Sequence, residues 1–400
     1  MKLGKMAVIA MLVGTALSAH GQQFNEAATV PFGSFDFIPT LDVGFRYDDN
    51  VTRQASDEIA SFTQIISPQL ILLNNFGASQ ARFGYRLRNE RFFSSSEDNY
   101  TDHFLSTGVE YELNVRHRLD VSFDFEDGHE QRGTGFSILN IADSPDTYKE
   151  TDLALQYSYG APGAAGRLDF NANLASRDYD LNTLPGRARD RGINSVGGTF
   201  YYRVGATTDA TFDIIRKVVN YNVAADPSNP LDSTVMSYLV GLSWEATAQT
   251  SGFAKIGHEE KDFDSSLRDD FSGVDWSAGV TWEPTDNSEV TLSTNNDTNE
   301  TNGEGNFIRQ RDYRLVWNHR WLERLRTSAS ITFSEDKYEG QAVEFGVRED
   351  DLQQFNATAY YQFRRWINFE LGYTFDTRDS NRDGIDFDRN QLLLNAFITL

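Results

Sequence analysis

Apolar residues recur at every second position along this chain, in runs of about ten separated by polar, Gly- and Asp-rich breaks. Leu153, Leu155, Tyr157 and Tyr159 alternate with Asp152, Ala154, Gln156 and Ser158. Leu119, Val121, Phe123 and Phe125 alternate with Asp120, Ser122, Asp124 and Glu126. A period of two puts one set on each side of a pleated strand, one face apolar and the other wet. Eighteen such strands can be placed, near 39–47, 62–73, 80–92, 102–114, 118–127, 149–159, 167–178, 192–204, 209–220, 233–245, 250–262, 271–283, 288–298, 307–320, 325–335, 350–363, 367–378 and 387–400. Three are weak. The 62–73 run is apolar on both faces and contains Pro68, which has no N–H for a ladder. The 250–262 and 288–298 runs hold few large apolar residues, which leaves sixteen strands as the alternative.

The connections obey a parity. Even-numbered ones are short: Asn74–Ser79, Asn114–His117, Gly160–Gly166, Gly205–Thr208, Ala246–Gln249, Pro284–Asn287, Trp321–Arg324 and Arg364–Trp366. Odd-numbered ones are mostly long and acidic, the longest from Gly128 to Tyr148. An all-β, antiparallel, up-and-down transmembrane barrel with both termini in the periplasm requires that alternation. Charge follows the same geometry. The expected lipid-facing sets, such as Met236, Tyr238, Val240, Leu242 and Trp244, or Val274, Trp276, Ala278, Val280 and Trp282, are apolar at mid-strand. A lipid-facing Arg at the midplane costs about 2–4 kcal/mol, and the exceptions, Arg91 and Arg216, fall near the outer ends.

Met1–Gly21 reads as a signal peptide: Lys2 and Lys5 precede the apolar stretch Met6–Leu17 and small residues at a cleavage site. Residues 22–37 then form a short periplasmic segment, able to plug the near mouth or stay disordered, and 38–400 the barrel. The chain has no Cys, which excludes a lipoprotein anchor, disulfides and thiol catalysis. A formal net charge of -23 argues against nucleic acid, whose phosphates need clustered Lys and Arg. The mean hydropathy of -0.50 suits a barrel, since only alternate residues meet lipid. Aromatics at 13% fit girdles at the two membrane interfaces. The last strand carries Leu392, Leu394, Ala396, Ile398 and Leu400 on one face, similar to the assembly signal that a barrel assembly machinery reads, although such signals more often end in Phe. These features point to the outer membrane of a Gram-negative cell.

Inward positions carry both signs: Arg82, Arg86 and Arg88 on one strand, Asp120, Asp124 and Glu126 on another, Arg167, Asp169 and Arg177 on a third, Asp312, Arg314 and Arg320 on a fourth. Such rows can sort solutes or grip a sugar chain, or simply pair and hydrate the wall. The 128–148 loop carries Phe136, Ile138, Leu139 and Ile141, poorly placed in free solvent, and is a candidate to fold into the pore. Asp379, Asn381 and Asp383 match the first half of a calcium loop, but position 12 is Asn390 and the residues equally suit a hairpin turn. No HExxH, GxSxG or phosphate loop appears, and no cofactor is implied; a Ser–His or Asp–His pair could meet on the barrel rim, with His103 or His129 as candidates, but an enzyme is not expected.

The first strand ends Gly44-Phe45-Arg46-Tyr47-Asp48-Asp49-Asn50-Val51. With the strand–loop rhythm over 38–400, this element resembles the putative beta-barrel porin 2 family, whose members open with a similar aromatic-Asp-Asp-Asn run and often accompany exopolysaccharide export systems. The resemblance implies an outer-membrane conduit for a secreted polysaccharide, working with periplasmic and inner-membrane export proteins, and no catalytic residues. The residues alone also permit a passive porin for small solutes or oligosaccharides. A third reading is a surface adhesin or scaffold whose acidic loops hold divalent cations and lipopolysaccharide.

Overall fold

The computed structural model describes residues 29–138, 143–181, 183–247, 249–340 and 346–399. The expected signal peptide, Leu139, Ile141 and Leu400 lie outside them. The described residues form β1 (Val30–Phe32), β2 (Phe35–Asp48), β3 (Ser61–Phe76), β4 (Ser79–Phe92), β5 (Tyr100–Asn114), β6 (His117–Glu130), β7 (Asp146–Tyr159), β8 (Gly166–Tyr179), β9 (Arg191–Arg203) and β10 (Thr208–Tyr221). They continue as β11 (Ser233–Thr247), β12 (Thr250–Phe263), β13 (Phe271–Thr285), β14 (Ser288–Glu300), β15 (Phe307–Leu322), β16 (Leu325–Glu339), β17 (Glu349–Arg364), β18 (Ile367–Ser380) and β19 (Phe387–Thr399). Each strand from β2 to β19 pairs antiparallel with its chain neighbours, and β19 pairs back onto β2, closing an eighteen-stranded barrel. The short β1 forms a hairpin with β2, Val30 opposite Phe37, so residues 30–37 prolong the wall. No helix among the described residues is long and apolar enough to cross a membrane, and the strands do the crossing.

The three weak runs are all strands, so the count is eighteen. Pro68 sits in β3 opposite Leu41 of β2, while the ladder to β4 breaks between Ile66↔Asn89 and Gln69↔Arg86. That gap is what a missing N–H produces. The apolar set faces out: Phe62, Leu70, Phe212, Ile214, Val240, Leu242, Leu371 and Leu394 are exposed on the outer surface. Arg91 pairs opposite Gln64 and Arg216 opposite Val196 and Met236, both outward and toward the long-loop rim.

The seam between first and last strands runs from Thr40↔Thr399 to Asp48↔Gln391. Its long-loop end is held by the aromatic-Asp-Asp-Asn element. Arg389 donates to Asp48 through Nε (3.1 Å, Oδ1) and Nη2 (2.6 Å, Oδ2), and Gln391 Nε2 adds a bond at 2.8 Å. Asp49 accepts from Asn390 N and Nδ2 at 2.6 and 2.8 Å. Asn50 Nδ2 donates to Asp388 O and to Gln54 O, and Asn50 Oδ1 accepts from Gln54 N. The element therefore joins the chain's two ends and turns the backbone in one step.

One strand leaves the wall. The β13–β14 ladder ends at Trp276↔Asn296, yet β14 runs on to Glu300 and β13 back to Phe271. Asn296 Nδ2 donates to Val274 O at 2.6 Å, standing in for the backbone partner β14 no longer supplies. Beyond that point β14 and the start of β15 turn into the lumen. Thr298 Oγ1 donates to Glu259 at 2.6 Å, and Glu300 accepts from Lys261 Nζ at 2.8 Å and from Tyr221 OH at 3.2 Å. Lys217 Nζ reaches Thr298 O at 3.1 Å, and the Phe307 ring packs 5.0 Å from Phe271 and 6.3 Å from Phe263. The hairpin face that would have met lipid thus lies against the inner wall of β10–β13, where Lys261 is fully buried.

Arg389→Ala should leave Asp48 buried without its counter-charge, at a cost of about 3–5 kcal/mol. The refolded variant is then expected to lose its compact, heat-modifiable gel mobility at a lower temperature than the parent. An unchanged transition temperature would refute the role assigned to this pair.

Candidate functional site

Strand registry settles which side chains line the lumen. Arg82, Arg86 and Arg88 of β4 lie opposite Gly108, Phe104 and Asp102 of β5, and Asp124 and Glu126 of β6 lie opposite Ser106 and Phe104. All point inward, with Asp120, because their alternating neighbours Phe83, Phe123 and Phe125 belong to the outward set. The arginines form a column with acid on both flanks. Arg86 lies within electrostatic reach of Asp42 on one side and Glu126 on the other, and Arg82 within reach of Asp124. Between them, small residues at Gly84, Ser106 and Gly108 leave the wall recessed.

Many inward charges are paired. Glu90 is fully buried, bound by Arg46 Nη2 at 2.5 Å and Arg88 Nε at 2.8 Å. Arg177 Nη2 meets Glu150 at 2.5 Å, and Arg167 lies 3.5 Å from Asp169 and 3.7 Å from the Tyr201 ring centre. Glu126 accepts from Tyr148 OH at 2.8 Å, and Asp312 accepts from Ser334 Oγ and Asn295 Nδ2. Arg320 lies at the short-turn rim, where its guanidinium donates to Asp286 O. Arg82, Arg86, Arg314, Asp120 and Asp124 form no salt bridge among the described residues, and Arg86 instead stacks 4.2 Å from the Phe104 ring centre. On the same wall the inward Glu110, Glu126 and Asp152 also lack an ion pair among the described residues, so across β4–β7 a passing solute meets more unneutralised acid than base.

Loops converge over the long-loop mouth. Arg132 donates to Asp98 through Nε at 2.8 Å and Nη2 at 2.5 Å, and these hydrogen bonds raise its pKa above the usual guanidinium value. Arg378 Nη2, from β18, donates to Gly133 O at 3.3 Å. A short 3-10 turn, Gly135–Ser137, then sets Phe136 edge-on to Tyr179 and 4.4 Å from the Arg189 guanidinium. Phe136 also abuts Gly303, on the opposite side of the barrel: a Cβ there would stand 3.2 Å from Phe136 Cδ1. Glu304 next door accepts from Arg348 Nη1 at 3.1 Å and Arg382 Nη2 at 2.6 Å, tying three loops together. Ile138, half-buried, follows the turn.

His103 faces outward and hydrogen-bonds Tyr85 OH at 2.8 Å, while His129 turns inward and pairs with Asp102 at 3.0 Å. Asp379, Asn381 and Asp383, the weak calcium candidates, do not converge. Asn381 Oδ1 accepts from Glu349 N and its amide donates to Val347 O, and Asp379 pairs on the outer face opposite Asp351. No cluster of three metal-ligating side chains occurs among the described residues. The inturned β14–β15 hairpin went unforeseen, although one signal was present: from Ser293 to Asn306 the sequence contains no apolar side chain and so no lipid face.

A closed barrel with an apolar outside, a polar inside and a looped mouth is an outer-membrane channel of the porin type. Residues 25–399 match the family model described as Putative beta-barrel porin 2, and the chain belongs to that family. It is therefore a barrel of the Gram-negative outer membrane, and barrels of this class are channels. Among solved structures it is similar to Pseudomonas aeruginosa OpdQ, with a TM-score of 0.50 and 9% identity over 92% of this chain and 100% of that one. It is also similar to Pseudomonas aeruginosa OpdO, with a TM-score of 0.50 and 13% identity over 91% and 97%. At such identity the likeness extends to the fold alone. No curated protein matches the chain.

Arg82→Ala combined with Arg86→Ala removes two of the free lumen cations and leaves the flanking acids. The zero-current potential across a bilayer with a salt gradient should shift toward stronger cation preference. A shift toward anions, or none, would show that solutes do not pass this wall.

Proposed function

We propose that this protein is a porin for passive diffusion of small hydrophilic solutes, oligosaccharides included, with a preference for cations. The carrying observation is the lumen itself: eighteen strands enclose a width suited to water, and the free charges on its wall are mixed but more acidic than basic across β4–β7. Mixed, partly unpaired charge suits weak, exchangeable contacts, which let a solute leave as readily as it enters. Secretion of a polysaccharide, the use suggested by the family resemblance, draws no support from this lumen. A polymer in transit needs a wide path along its whole length, whereas the Phe136 turn and the Gly303 tip meet and narrow the mouth.

In this reading the short turns and both chain ends lie in the periplasm, and the long loops face outward among lipopolysaccharide. Insertion falls to the barrel assembly machinery, with β19 as the closing strand. Purified protein in planar bilayers should give stable ohmic conductance, and proteoliposomes should swell in small sugars and amino acids. A deletion strain should take up such solutes more slowly and secrete its polymer normally. Lost polymer with unchanged uptake would reverse the assignment in favour of export.

A further inference from the structure

We propose that the inturned β14–β15 hairpin is the size filter of this pore, an inference that rests on the porin reading above. The hairpin does what a filter must: it occupies lumen, it is held rigidly, and its tip narrows the mouth by meeting the 131–137 turn. Occupancy follows from the ladder, since β14 leaves β13 after Asn296 and its face packs on Glu259, Lys261, Phe263 and Phe271. Rigidity comes from two independent anchorages. Glu300 binds Lys261 and Tyr221 on the β10–β12 wall, and Glu304 binds Arg348 and Arg382 from the loops preceding β17 and β19. Hydrogen bonds to charged groups are the strong kind, and buried ones are shielded from salt.

The tip, Thr301–Asn306, thereby becomes a fixed ledge. Its Gly303, at φ +105°, brings bare backbone against Phe136, and that contact narrows the mouth a solute must pass. The 131–137 turn is held by Arg132 to Asp98 and Ser95, by the bond from Arg378 to Gly133, and by Phe136 on Tyr179 and Arg189. Of the two elements meeting at the mouth, the hairpin is the one that the barrel's own strands carry into the lumen. Size selection therefore belongs to residues 297–310, and the arginine column on β4 handles charge separately.

The test compares the parent with two variants in planar bilayers, using polyethylene glycols of graded size to read the largest polymer that enters. In the first, Asp297–Gln310 is replaced by Asn-Gly, which joins β14 to β15 by a tight turn at Asn296 and Arg311, residues already paired. The second, Lys261→Met with Glu300→Gln, keeps the hairpin and releases one anchorage. The shortened barrel should conduct about twofold or more above the parent and admit larger polymers, and the released one should fall between. A silent parent beside a conducting shortened barrel would make the hairpin a plug and overturn the filter. Unchanged conductance and cut-off in both variants, with a conducting parent, would overturn it. Three silent proteins that nonetheless show folded gel mobility would overturn the porin reading instead.

Discussion

Hydrocarbon offers no partner for a backbone N–H or C=O, so a sheet that crosses a membrane must have no edge. In this chain that demand comes down to the junction of β2 and β19, the only pair of barrel neighbours not adjacent in sequence. Every other barrel ladder joins consecutive strands. This one joins residues more than 340 positions apart, as the bond between Arg389 and Asp48 shows. Loop closure of that length has a large entropic cost, and the paired, buried ions at its rim offset part of it. The aromatic-Asp-Asp-Asn element is best understood as the end-to-end clasp, with each of its three polar side chains bonded to the strand that closes the barrel or to the residues leading into it.

Once the wall is closed, its two faces answer to different solvents. Outside, apolar side chains need no partners, and exposed Leu, Val and Phe are the expected state of a lipid-facing surface. Inside, carboxylates and guanidinium groups are compensated in local sets: Arg46–Glu90–Arg88, Arg177–Glu150, Lys261–Glu300 and Arg348–Asp350. Free charge is concentrated where Arg82 and Arg86 stand between acidic neighbours. The lumen is thus neutralised near its outer mouth, where loops must pack, and left polarised along the wall that solutes pass. The inturned hairpin follows from the same rule. A polar strand end cannot meet lipid, and burying its Glu300 is tolerable only because Lys261 and Tyr221 are waiting on the inner wall.

The strand rhythm by itself determined a great deal: the all-β class, the eighteen strands to within a few residues, the alternation of long and short connections, and the inward direction of Arg82, Asp124, Arg167 and Asp312. These are local properties, since a period of two assigns each side chain to one face whatever the rest of the chain does. Partners across the lumen and departures from the wall were decided only by tertiary structure. The sequence rhythm ended its strand at 298 and left Glu300 beyond it, and the fold carried that strand on into the lumen; His103 and His129 were rim candidates, and the fold turned one out and the other in. Period two says which side of a strand a residue occupies. Where that side ends up depends on the curvature of the sheet, and curvature is a sum over neighbours that no single segment contains.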